Sequence, residues 1–315
     1  MRILLIGGNG FIGPFVVGAL VRSGHDIAVF HRGTKPSSLP STIRHILGDR
    51  RCSAESAEAL REFGPDVVID LILSSGAQAR EVMDILRGVA PRIVALSSMD
   101  VYRACGVLYG SEPGPLEPMP LTESSPLRTK LKPYPPAQLK MLQGLFGWLD
   151  DDYDKIPVEQ AILSDRDFPG TVLRLPMVYG SGDPLHRFHP ILKRIDHRRP
   201  VIAFDEQVAR WRSPRGFVEN VAAAIALAAT SERAAGRVYN CRRNRQSLRA
   251  GMGATDCTRR RLGRRVCGPA ERSRASASAL AWQSRSGLGG GHRAHPRGTR
   301  VPRADCAGRS DPSHD

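Results

Sequence analysis

Gly7, Gly10 and Gly13 stand at G-x-x-G-x-x-G spacing in the run Gly7-Gly8-Asn9-Gly10-Phe11-Ile12-Gly13. Glycines so spaced do one kind of chemistry well, which is to hold a phosphate. The first makes a tight turn, the second lets a pyrophosphate approach the backbone, and the third lets a helix pack on a strand. The N–H groups of the stretch, those of Phe11 and Ile12 included, then face the anion together with a helix N-terminus. A glycine triplet alone is also what a plain tight turn needs. What separates the two readings is whether a strand precedes the triplet and a helix follows it.

Both do. Residues 2–6 are a short apolar run with β-branched members, right for one buried strand and too short for a helix. Phe15 to Val21 has the apolar content of a packed helix. Further apolar runs follow at Asp26–Phe30, Ile43–Leu47, Asp66–Ile72, Arg92–Leu96, Gly170–Leu175 and Val201–Phe204, each expected to be a strand. Helical spacing lies between them, at Ala57–Glu62 and Ala79–Val89. The alternation predicts a doubly wound α/β fold with a parallel sheet. At the end of the second strand an acidic residue would bond ribose hydroxyls and favour NAD. Arg32 stands there instead, and its guanidinium suits the additional phosphate of NADP. A solvated loop arginine is the other reading of Arg32. The sequence leans to NADP(H), with NAD the alternative.

Several further segments recur in a familiar order: Ser97-Ser98-Met99-Asp100-Val101-Tyr102, Lys155 with Glu159, Leu173-Arg174 running to Val178-Tyr179-Gly180-Ser181-Gly182, Phe217-Val218, and Tyr239-Asn240. With the glycine spacing, they resemble the short-chain dehydrogenase/reductase superfamily over residues 1 to about 241. The closest likeness is to its extended and atypical branch of nucleotide-sugar epimerases, dehydratases and reductases. The resemblance implies that Ser98 bonds the substrate carbonyl or hydroxyl, that Asp49 contacts the adenine, that Pro176 lies near the nicotinamide, and that Lys155 bonds the nicotinamide ribose. For Asp49 a helix N-cap is the competing reading. The superfamily pairs its lysine with a tyrosine four residues earlier, and here that position is Asp151. Tyr153 lies two residues before Lys155, on another face of any helix that contains both. The implied function is an NAD(P)-dependent epimerase, dehydratase or reductase acting on a sugar-like or other hydroxyl or carbonyl substrate. Ser98, Tyr153 and Lys155 are its candidate catalytic residues. The alternative is a non-catalytic dinucleotide-sensing or RNA-binding protein on the same fold.

The expected organisation is a dinucleotide-binding domain over 1–175, a smaller substrate lobe over 176–241 that interleaves with a return to the first domain, and a tail over 242–315. Residues 105–136 hold many prolines and are expected to be an irregular loop over the site or a partner. Basic residues at His186, Arg187, His189, Lys193 and Arg194 suit an anionic substrate group or a solvated helix face. Trp211, between Arg210 and Arg212, is a candidate ring platform.

The net charge of +15 invites a nucleic-acid reading, but residues 1–241 carry 29 Lys and Arg against 26 Asp and Glu, and residues 242–315 carry 17 Arg, no Lys and 5 acidic residues. The charge belongs to the tail, where Lys, Ile, Phe and Tyr disappear. Permitted codons for His295–Ala304, read one base along, spell Ile-Arg-Ala-Glu-Leu-Gly-Tyr-Arg-Glu. That suggests a frameshifted reading of a GC-rich gene, and a disordered basic arm is the competing account. Cys257, Cys267, His292 and His295 lack zinc spacing, so no metal is expected. Six cysteines without C-x-x-C pairs, no long apolar span and a strand beginning almost at Met1 lead us to expect a cytoplasmic protein without signal peptide or membrane span. Expected partners are a small-molecule substrate and a second copy of the chain, with no specific nucleic acid.

Overall fold

The computed structural model describes residues 1–34, 38–205 and 214–241. The tail from Arg242 and the Trp211 platform lie outside the described residues. Seven parallel strands form the main sheet: β1 (Arg2–Ile6), β2 (Asp26–His31), β3 (Arg44–Leu47), β4 (Val67–Asp70), β5 (Ile93–Ser98), β6 (Gly170–Leu175) and β9 (Val238–Asn240). Their order is β3-β2-β1-β4-β5-β6-β9. The chain moves outward from β1 through β2 to β3, then returns to the other side of β1 at β4. That reversal opens a crevice at the C-terminal ends of β1 and β4, where ligands bind in open α/β sheets.

Strand alternation sends side chains into two cores. On one face Ile3, Leu5, Val67 and Ile69 pack against α1 (Gly13–Arg22) and the Val218–Thr230 helix. On the other, Leu4, Ile6, Phe30 and Val68 pack against α2 (Ala57–Glu62), α3 (Gly76–Leu86) and Lys155–Leu163. Both faces being covered explains why the strands read as continuous apolar runs.

Between β5 and β6 lie α4 (Arg103–Leu108), α5 (Pro136–Leu145) and α6 (Lys155–Leu163). The proline-rich stretch is thus helical through Leu108 and irregular from there to Pro135. Within it, Glu112 accepts N–H bonds from Thr129 and Lys130 at 2.6 and 2.7 Å. After β6, β7 (Met177–Tyr179) pairs in parallel with β8 (Arg215–Phe217), and α7 (His189–Asp196) lies between them in sequence. The Val218–Thr230 helix, α8, leads back to β9.

Three expectations are corrected. The run Val201–Phe204 is not a strand: Ile202 instead packs with Ile191 and Ile195 of α7 in a small apolar cluster. The helix expected over Ala79–Val89 is α3, which begins earlier because Ser75 accepts the N–H of Gln78 and caps it. The capping role weighed for Asp49 before α2 falls on the 3-10 segment Arg50–Ser56.

Candidate active site

At the crevice, Gly7 adopts φ +88° and donates its N–H to Phe30 O at 3.0 Å. A Cβ there would stand 2.6 Å from Ile72 Cγ2, and one at Gly13 would stand 2.0 Å from the carbonyl oxygen of Gly8. Those two glycines are required by the protein itself. Gly10 differs: it is exposed, and its added Cβ would meet no protein atom nearer than Gly7 O at 3.6 Å. The space above it forms a cradle that a side chain would fill. α1 starts at Gly13 with Ile12 at its N-cap and no side-chain cap on its N–H groups. This arrangement fits a pyrophosphate: open backbone, helix N-terminus, and no competing acidic side chain in the first turn. Phe11 closes one side, with its ring 3.7 Å from the Cβ position of Gly182 beyond β7.

The expected adenosine end lies past β2 and β3. His31 Nδ1 accepts the N–H of Gly33 at 3.1 Å, which leaves Nε2–H to donate to His45 Nδ1 at 2.7 Å. Burial, then the neighbouring His45, lowers the His31 pKa, so His31 contributes hydrogen bonds more than charge near neutral pH. Arg32 is exposed, with its guanidinium beside Gly147. Asp49 is held by Arg51, whose backbone N–H and guanidinium reach it at 2.9 and 2.7 Å. Burial pushes the Asp49 carboxyl up, and these bonds outweigh it to hold the group below its ordinary range.

The third region gathers at the ends of β4 and β5. Ser98 ends β5, half-buried, and its hydroxyl accepts the N–H of Asp100 at 3.2 Å. α6 begins at Lys155 itself, capped by Asp154, so Tyr153 precedes the helix and is free of its face constraints. Lys155 is buried, donates to Leu73 O, and donates to Leu96 O at 3.1 Å. Its ammonium also lies 5.6 Å from the Trp148 ring and 5.7 Å from that of Tyr153. The Tyr153 hydroxyl points instead to Asp100 Oδ2, at 3.5 Å. Burial and the Asp100 charge push the Tyr153 pKa well above its ordinary value, the reverse of what an activated phenol needs.

Burial brings the Lys155 pKa down to about 8, against the upward pull of Asp100, Asp70 and Glu159. Between that value and the ordinary 10.5, the unfolded chain holds a proton that the folded chain has released. Stability therefore rises with pH across this window, and it is lost as pH falls through about 8. We expect the stability of the parent relative to Lys155→Met to increase by about 3 kcal/mol from neutral to strongly alkaline pH. Urea unfolding of both proteins near each pH checks this, and a constant difference would show that the lysine is not desolvated as described.

Two residues near Lys155 escaped the sequence reading. Asp100 sits inside the Ser-Ser-x-x-Val-Tyr segment, where a buried acid at a strand end was the available signal. Tyr134 lies in the proline-rich loop, and nothing local announces that it donates to Asp100 Oδ2 at 3.0 Å. Asp150 is a third addition, accepting the hydroxyls of Ser74 and Ser75 at 3.0 and 2.5 Å. Pro176 is buried against Gly216, between β6 and β7. In the basic run Arg187 is committed to Asp183 at 2.6 Å and Val178 O at 3.0 Å, while Lys193 and Arg194 occupy the last turn of α7.

Below these groups a buried network ties strand ends together. Glu159 accepts from Ser97 Oγ at 2.5 Å and pairs with Arg174 at 2.7 Å. Arg174 also donates to Tyr102 OH at 2.9 Å, and that hydroxyl donates to Asn240 Oδ1 at 2.7 Å. A cavity of about 390 Å³ between α8 and β9, lined by Phe217, Val221 and Tyr239 among others, includes none of the glycine-turn residues, Ser98 or Lys155.

Residues 3–241 match the model of the NAD dependent epimerase/dehydratase family. A 2'-dehydrokanamycin reductase of Streptomyces kanamyceticus is 26% identical over 243 residues, 75% of this chain and 60% of that protein. A chloroplast stem-loop binding protein of 41 kDa from Arabidopsis thaliana is 33% identical over 133 residues, 37% of this chain and 34% of that protein. The chain thus spans less than two thirds of either relative. Among solved structures, UDP-glucuronic acid 4-epimerase from Bacillus cereus in complex with UDP-glucuronic acid and NAD superposes with a TM-score of 0.59 at 17% identity, covering 85% of each chain. Among the described residues no helix is long and apolar enough to cross a membrane, and no cluster of three or more His, Cys, Asp or Glu could hold a metal.

Proposed function

The chain belongs to the NAD dependent epimerase/dehydratase family, and from that premise we propose that it uses a nicotinamide dinucleotide to oxidise or reduce a hydroxyl or carbonyl of a sugar-like substrate. The observation that carries this reading is the open cradle at Gly10, facing an uncapped helix N-terminus. The pyrophosphate would lie on Gly7–Gly13, the adenosine toward Asp49 and Arg32, and the nicotinamide toward Pro176 and Lys155. When bound, the dinucleotide supplies the hydride acceptor or donor. Lys155 would hold the ribose, and Ser98 would bond the reacting oxygen. Tyr153 lies beside Lys155 with its hydroxyl turned to Asp100, and its raised pKa suits a hydrogen-bond donor better than a proton carrier. A sugar-like substrate is supported by the reductase relative and by the UDP-glucuronic acid held by a structural neighbour.

A second reading rests on Asp151 and on the raised Tyr153 pKa. A chain that kept the cradle and lost the activated phenol would sense dinucleotide or bind RNA without turnover, and one relative is by name a stem-loop binding protein.

Titration of the purified protein with NADPH and with NADH, followed by nicotinamide fluorescence, tests the first reading. We expect both to bind and NADPH to bind more tightly. Arg32→Ser should remove that preference, about a tenfold change for the loss of one charge-assisted phosphate contact. A folded protein that binds neither dinucleotide would sink the reading.

A further inference from the structure

We propose that Asp100 is the catalytic residue that exchanges the proton of the substrate oxygen, with Tyr134 and Tyr153 as the residues that position its carboxyl; this rests on the nicotinamide-dependent reading above. Asp151 stands where a tyrosine would serve the lysine, and its side chain is taken by Gln143 at 2.9 Å, on an exposed turn. The site therefore needs a proton carrier from elsewhere. Asp100 follows Ser98 by two residues and is only 9% exposed.

Its two carboxyl oxygens are in different situations. Oδ2 accepts Tyr134 OH at 3.0 Å and Tyr153 OH at 3.5 Å, and the two rings stack with centroids 5.5 Å apart. Oδ1 is buried without a hydrogen-bond partner among the described residues. Of the other buried carboxyl oxygens in that situation, Asp70 Oδ2, Glu117 Oε1 and Asp165 Oδ2 face Arg50, Arg103 and Arg87 in ion pairs, and Glu117 Oε2 belongs to the carboxylate that Arg103 pairs. Asp100 makes no ion pair among the described residues: Arg128 donates its Nε–H to the Asp100 backbone carbonyl and gives its terminal nitrogens to Asp154. Leaving a buried acceptor unmade is costly, and a substrate hydroxyl beside Ser98 would satisfy it.

Several groups face this carboxyl: Tyr134, Tyr153, Ser98, Arg128 and Lys155, with Cys105 and Tyr109 within electrostatic reach. Burial raises the Asp100 pKa, opposed by Arg128, Tyr134, Lys155 and Ser98. Both phenols are pushed well above 10, which leaves them as donors to Asp100 and poor proton acceptors near neutrality. An acid raised from its usual range is better matched to proton exchange at that pH.

In the oxidising direction the substrate O–H bond breaks and its proton goes to Oδ1 of ionised Asp100. The C–H bond on the same carbon breaks with its electron pair going to the nicotinamide, and the C–O bond becomes C=O. The substrate loses two electrons, the dinucleotide gains them, and Asp100 ends protonated. Reduction runs the same transfers backward.

The test compares the parent, Asp100→Asn and Tyr134→Phe by three measurements. The first is NADH and NADPH affinity. The second is reduced-nicotinamide formation from NAD or NADP with UDP-glucose or UDP-glucuronic acid. The third is the infrared carboxylic-acid band across pH. We expect Asp100→Asn to keep dinucleotide affinity, to lose about 100-fold or more in turnover, and to remove a carboxylic-acid band that persists in the parent above the usual carboxylate range. Tyr134→Phe should move the titration of that band without abolishing it. Full turnover in Asp100→Asn, or no band that this substitution removes, overturns the inference while dinucleotide binding keeps the cofactor reading intact. If both sugar nucleotides are inert with the parent, the infrared titration decides. A folded parent that binds no dinucleotide defeats the underlying reading and this inference with it.

Discussion

Gly13→Ala will destabilise the fold by about 3 kcal/mol or more and abolish dinucleotide binding with it, whereas Gly10→Ala will leave stability within about 0.5 kcal/mol of the parent and weaken binding alone. The difference lies in what each new methyl meets. At Gly13 it would stand 2.0 Å from Gly8 O and 2.3 Å from Gly8 C, both backbone atoms of a turn that Gly7 also constrains. Neither atom belongs to a flexible side chain that can swing away, so α1 must retreat from β1. That movement opens the core where Val16, Val17 and Leu20 pack on Ile3 and Leu5. At Gly10 the methyl has no near protein neighbour, and its φ lies outside the left-handed region, so alanine is sterically at ease there. The methyl instead takes space that a pyrophosphate needs. A steric cost of about 1–2 kcal/mol on the ligand alone corresponds to roughly 5–30-fold in affinity. Thermal or urea unfolding beside NADH titration separates the two outcomes. If Gly10→Ala binds as well as the parent, the phosphate does not lie on that residue and the cradle reading fails.

How much of this is legible in the sequence depends on whether the signal is local. The glycine spacing, flanked by an apolar run and a helix, is a local pattern, and β1, the turn and α1 follow it closely. The parallel sheet was legible in the same way, because strands covered on both faces show as unbroken apolar runs such as Val67–Ile69. Val201–Phe204 has the same composition and yet pairs with no strand. Its apolar residues serve a side-chain cluster on α7, and pairing depends on what lies alongside, which a short run cannot encode. The end of the crevice that holds Ser98 and Lys155 shows the limit most clearly. Ser98 and Lys155 were visible because each sits in a recognisable segment. Asp100 acquires its character from Tyr134 and Tyr153, which are 34 and 53 residues away. Likewise Trp148 over Lys155, and Asp150 on Ser74 and Ser75, are contacts between segments whose sequences carry no shared pattern.

The buried ion pair below the site yields the second large effect: Glu159→Ala should cost about 3–5 kcal/mol, because it leaves the Arg174 charge buried and uncompensated. Glu159 and Arg174 are 3% and 4% exposed, too little for water to replace the lost carboxylate. Arg174 would keep Tyr102 OH and Glu123 O, both neutral acceptors, at 2.9 and 3.0 Å. Removing the charge as well, in Glu159→Ala with Arg174→Met, should recover a large share of the loss, since a buried pair replaced by apolar groups is often close to neutral. A double-mutant cycle by urea unfolding measures this directly. Simple additivity of the two single substitutions would mean that the pair is solvated and uncoupled. The position of the network gives the result a functional meaning. Ser97 donates to Glu159 and is the residue before Ser98, so the carboxylate fixes the end of β5 from which Ser98 is presented. Through Tyr102 and Asn240 the same charge pair reaches β9, which Glu123 also holds by accepting the Asn240 N–H at 2.7 Å. Three adjacent strand ends thus depend on one glutamate, and a double variant with restored stability should still present Ser98 less rigidly than the parent. Its dinucleotide affinity, which we propose is set at the glycine turn on the far side of β4, should by contrast stay close to the parent value.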